Sequence, residues 1–72
     1  MIDLDAQLMA AHADGDKTAL AVLYERAAAE AAHDNARAFY LTQAYVFALE
    51  TNAPQAPALR ALLVQMGRDT PA

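Results

Sequence analysis

The chain has 72 residues, a net charge of −4 and no cysteine. That length allows one domain, spanning residues 1–72, with little core to bury, and the absence of cysteine excludes disulfides and thiolate metal sites together. Five basic residues against nine acidic ones make a poor grip on a phosphate backbone, so nucleic acid is not an expected partner.

The N-terminus, Met1-Ile2-Asp3-Leu4-Asp5, is acidic and lacks the basic-then-apolar pattern of a secretory signal. No apolar run approaches the roughly 18 residues that a membrane span needs, so a membrane is not expected as a partner and the cytoplasm is the expected location. Alanine supplies more than a quarter of the residues. Ordering it in a helix costs no side-chain entropy, and its size lets helix axes approach closely, so an all-α fold is expected.

Four helices can be read in chain order. The first covers about residues 4–13, capped by Asp3, with Leu4, Leu8 and Ala11 on one stripe. Asp14-Gly15-Asp16 ends it: Gly15 suits a left-handed C-terminal position and Asp16 can cap the next helix. The second helix is expected over residues 17–32, its inner face formed by Leu20, Leu23, Tyr24, Ala27, Ala28 and Ala31. His33-Asp34-Asn35 connects to the third, with Asp34 or Asn35 as cap.

The third helix, about residues 36–50, is apolar around most of its circumference and should therefore be central. At 100° per residue, Phe39, Gln43, Val46 and Glu50 share its least apolar face. Tyr40, Ala44 and Phe47 lie beside that face, and Ala38, Leu41, Tyr45, Ala48 and Leu49 lie opposite. Thr51-Asn52-Ala53-Pro54 breaks the chain, and the fourth helix starts near Pro54 or Pro57, since first-turn amides need no intrahelical acceptor. Leu59, Leu62, Leu63 and Met66 form its stripe, Gly67 its stop, and residues 68–72 are expected to be loose.

Chemistry is sparse. His12 and His33 lack a His-x-x-x-His or Glu-x-x-His companion, so a metal is not expected. Aligning Gly15 with the glycine of a calcium loop puts Ala10 and Ala21 where carboxylates are required, which rejects calcium. There is no serine, and two glycines cannot build a phosphate loop. Glu25, Arg26 and Glu30 form a charged strip expected to face solvent. Tyr24, Tyr40 and Tyr45 are expected as core residues whose hydroxyls reach the surface. No cofactor and no enzymatic activity are expected.

Residues 2–32 resemble a tetratricopeptide repeat: Gly15-Asp16 at the interhelical turn, with Ala19, Tyr24 and Ala27 in the second helix. In the third helix Leu41 and the pair Ala44-Tyr45 match the family's first-helix positions, and Ala38 stands where a tryptophan often sits. A shift of about 34 residues, the family's repeat length, superposes the first helix on the third and the second on the fourth. Leu49-Glu50 stands where a second Gly-Asp turn would be.

The resemblance implies two antiparallel helical hairpins, tetratricopeptide-like or a small bundle. It also implies a groove lined by the first helix of each repeat, which places Asp5, Met9 and His12 opposite Phe39, Gln43 and Val46. With Phe47 and Glu50 beside them, these residues are the expected protein-binding set. The expected function is a non-catalytic interaction module, either self-associating as a homodimer or docking on a larger protein. A small accessory subunit that stabilises an enzyme complex is the alternative.

Overall fold

The computed structural model describes residues 3–67; the expectation of a loose tail at residues 68–72 lies outside them. The described residues form an all-helical fold, with four helices among them in the order α1 (Leu4–Asp14), α2 (Lys17–Glu30), α3 (Asp34–Glu50) and α4 (Ala56–Gln65). They comprise 80% of the described residues.

Two helix ends form where the residue chemistry dictates. The Asp3 carboxylate accepts from the Asp5 N–H at 3.3 Å, and Asp16 accepts from the Ala19 N–H at 3.1 Å. Gly15 is left-handed at φ 66°, which lets its own N–H reach the His12 carbonyl and the Asp16 N–H reach the Ala11 carbonyl. The second hairpin closes in the same way without a glycine. Asn52, at φ 54°, donates to the Leu49 carbonyl, and Ala53 donates to that of Ala48. Asparagine tolerates this conformation better than other side-chain-bearing residues. A shift of about 34 residues would have put that turn at Leu49; the longer α3 carries it to Asn52.

Two boundaries correct the expectation and a third narrows it. Helix α2 ends at Glu30 and α3 begins at Asp34 with His33 as its N-cap, which makes no side-chain capping bond. Neither Asp34 nor Asn35 is the cap. Asp34 instead sits in the first turn, where it favours the helix dipole and pairs with Arg37 at 3.6 Å. Of the two candidate prolines, Pro57 occupies the first turn of α4, after Gln55 as N-cap.

The helices pack in series. The α2–α3 contact is the most extensive, α3–α4 and α1–α2 follow, and the terminal helices α1 and α4 do not pack on each other. The result is an open array of 35 × 28 × 15 Å rather than a closed ring of helices. Helix α3 is central, as its apolar circumference requires.

Eight of the thirteen buried residues among those described are alanines. Ala21 and Ala28 of α2 meet Leu41, Ala44 and Ala48 of α3, which in turn meet Ala56, Leu59 and Leu63 of α4. Small side chains bring these axes together but remove little apolar area each, so five leucines carry most of the burial. A second cluster seats α1 on α2 through Ala11, Leu20 and Leu23, with Leu4 and Leu8 partly buried against it.

The expected α4 stripe is narrower in fact. Leu59 and Leu63 are buried and Met66 partly so, but Leu62 is 44% exposed. An end helix with one principal neighbour buries less than a full i, i+3, i+4, i+7 stripe. Glu25 also departs from the expected solvated strip: it is half-buried and accepts from Gln55 Nε2 at 3.3 Å, tying α2 to the start of α4.

Candidate functional site

No polar or charged residue is buried among the described ones, and none of their buried side-chain nitrogens or oxygens lacks a hydrogen-bond partner. No group of three or more histidines and carboxylates among them could hold a metal ion. The distinctive chemistry is aromatic and lies where α1, α2 and α3 meet.

Tyr24 of α2 is its hub. Its ring stacks on Phe47 at 5.9 Å, nearly parallel at 6°, and on Tyr40 at 6.2 Å. Its hydroxyl shares a 2.9 Å hydrogen bond with His12 Nε2. The His12 ring meets Tyr24 and Phe47 edge-on, at 6.0 and 6.1 Å. Phe39 closes the row against the Tyr40 ring at 5.6 Å. Five rings from three helices thus form one continuous ladder. Offset and edge-on ring pairs are favourable beyond the area they cover, by about 0.5–1.5 kcal/mol each.

Beside the ladder runs a shallow cleft of about 340 Å³ between α1, α2 and α3. Leu4, Leu8, Ala27 and Tyr40 line its apolar part, and Asp5 and Glu30 stand on its rim. One face of the molecule therefore combines aromatic rings, an apolar trough and negative charge.

The expected binding residues distribute over this face unevenly. Asp5 and His12 come from α1, and Phe39 and Phe47 from α3; Tyr24 and Tyr40 link them into one surface. Met9, one turn from both Asp5 and His12, is 72% exposed, and Phe39 and Val46 are 56% and 42% exposed. Gln43, between them on α3, is half-buried. Glu50 sits at the far end of that face and pairs with Lys17 at 3.5 Å, tying the start of α2 to the end of α3.

Tyr24 and Tyr40 were legible only as core residues. The hint of more was the expectation that a helical tyrosine sends its hydroxyl to the surface, which Tyr24 does at His12.

A second concavity lies on the opposite side of α3. Tyr45 and Leu49 form one wall, and Pro57, Ala61 and Val64 of α4 the other, around a cavity of about 660 Å³. Nothing in the sequence pattern pointed to it, because it depends on how α4 leans on α3. The chain matches no family model, no curated protein and no solved structure.

Proposed function

We propose that this protein is a non-catalytic interaction module that docks an apolar, basic segment of a partner protein on the α1/α3 face. The observation that carries the reading is the aromatic ladder ending in exposed Phe39, with exposed Met9 and Val46 beside it and the Asp5–Glu30 rim nearby. Covering the exposed part of Phe39 alone is worth about 1–2 kcal/mol, and charges on the rim set orientation and approach rate. Asp5, Gln43 and Glu50 orient the partner; Met9, His12, Phe39, Val46 and Phe47 supply the contact area. The order of two successive helical hairpins is compatible with the resemblance to a tetratricopeptide pair, whose binding face would lie on the first helix of each, and the cysteine-free composition suits a cytoplasmic setting.

The non-catalytic part of the reading rests on the sequence, which offers neither a serine or cysteine nucleophile nor a glycine-rich phosphate loop.

The test is a selection of displayed peptides on the wild-type protein. Enriched peptides should combine bulky apolar residues with Lys or Arg. They should bind at least tenfold more weakly to Phe39→Asp and to Val46→Asp, while the circular dichroism of both variants stays helical. Enriched peptides that bind both variants as tightly as wild type would sink the proposal.

A further inference from the structure

The α3/α4 cavity faces away from the aromatic ladder, and the proposed function does not use it. Its volume of about 660 Å³ falls in the range of small-molecule sites. Ala56 and Ala61 line it on the α4 side, and their small side chains leave the space open toward Tyr45 and Leu49 of α3. Leu49 is left 55% exposed.

Charge selects the occupant. Among the described residues, Arg60 is the one charged side chain that lines the cavity, and no carboxylate does. Between Thr51 and Gly67 it is also the sole charged residue of the sequence. Glu50, next to Leu49, turns instead to Lys17 at 3.5 Å. The cleft beside the ladder is the opposite case, with Asp5 and Glu30 on its rim and no cation. Apolar walls around a single cation favour an anion, because low-dielectric surroundings strengthen the attraction. Arg60 already interacts within the chain, but a guanidinium carries more N–H donors than one partner uses, so it can take up a carboxylate as well.

The remaining walls describe the rest of the ligand. Tyr45 and Gln65 are the only other polar side chains lining the cavity among the described residues, so most of the occupant meets carbon. An extended peptide brings a polar amide with every residue, and these walls offer few partners for them. An alkyl chain needs none. A membrane surface would call for a cluster of cations, and this edge has one.

We infer that the α3/α4 cavity binds a free, single-chain carboxylate amphiphile of the fatty-acid type. Its alkyl chain lies against Leu49, Pro57 and Val64, and its carboxylate pairs with Arg60. Arginine grips a carboxylate with two parallel N–H donors, which fixes the head while the chain is held by burial alone. Phe39 and Val46 lie on the other side of α3, so the inference stands or falls separately from the peptide-docking reading.

Calorimetric titration at neutral pH tests it, with decanoate kept below its micelle-forming concentration and decanol as the uncharged probe of the same chain length. The wild type should bind decanoate saturably, one per chain, and decanol at least tenfold more weakly. Arg60→Gln should weaken decanoate at least tenfold and leave decanol unchanged. Ala61→Phe, which fills the cavity from an exposed position, should weaken both, while Phe39→Asp should bind as wild type does. All three variants should keep the helical circular dichroism. The comparison of the two probes on the wild type needs no variant to fold. Equal affinity for them overturns the inference, as does the absence of saturable decanoate binding. Undiminished binding by Ala61→Phe overturns it too, by placing the amphiphile elsewhere. Retention of the wild type on phosphatidylglycerol vesicles without decanoate binding would overturn it in favour of a membrane surface.

Discussion

The two sides of α3 are finished differently. Toward α2 and α4 it presents Leu41, Ala44 and Ala48, small enough to bring axes together and disappear from solvent. Toward the junction of α1 and α2 it presents Tyr40 and Phe47, whose rings stack on Tyr24 of α2, stay half-buried and lead out to exposed Phe39. Here α1 reaches α3 through the His12 and Phe47 rings rather than by close backbone packing. One helix thus buries Leu41, Ala44 and Ala48 and leaves its larger rings at the edge of the core. Hydrophobicity alone does not separate the two; side-chain size against the distance to the next helix does.

The largest expected effect breaks the core side. Leu59→Ala removes one of the two most completely buried large side chains and should cost about 2–5 kcal/mol. In so small a domain that is comparable to the whole stability, so the helical signal at 25 °C should be largely lost. Leu62→Ala, three residues on but exposed, should cost less than about 1 kcal/mol. Equal losses in the two variants, measured by urea unfolding, would contradict the narrow α4 stripe.

On the surface side, Phe39→Asp should leave the melting temperature within a few degrees of wild type while weakening selected peptides by tenfold or more, a loss of about 1.4 kcal/mol or greater. Next come the caps. Asp16→Ala should cost about 1 kcal/mol, a drop of about 4–8 °C for a domain of this size. Asp34→Ala should cost only a few tenths, because His33 rather than Asp34 holds the cap position. Thermal melts of the pair distinguish a capping carboxylate from one that merely follows the cap. The smallest effect belongs to the exposed Lys17–Glu50 pair: Lys17→Met should change stability by about 0.5 kcal/mol or less, and the difference should vanish in high salt.

Much of the fold was legible because its signals are local. Asp3, Gly15, Asp16 and Gly67 mark ends by conformations and hydrogen bonds within a few residues, and the apolar girth of α3 required neighbours on several sides. The α3 start was misread because an acid in the first turn and an acid at the cap look alike in a sequence; Asp34 lies inside the helix, where it pairs with Arg37. Ala21, wholly buried, lies two turns before Ala28 at the edge of the expected face and was left out of it. The Glu25–Gln55 bond joins residues too far apart in the chain for any periodicity to connect. On the candidate surface, exposed Phe39 and Val46 followed from the helical wheel. The Tyr24 hub and the α3/α4 groove did not, since both arise from how separate helices lean together.

The most direct measurement is a map of backbone amide NMR shifts as a selected peptide is titrated into the protein, held dilute. Changes should concentrate around Met9, His12, Phe39 and Val46 and spare Leu49, Ala61 and Val64. Changes centred on Leu49, Ala61 and Val64 instead would place the outside partner in the α3/α4 groove and contradict the division of labour between the two sides of α3.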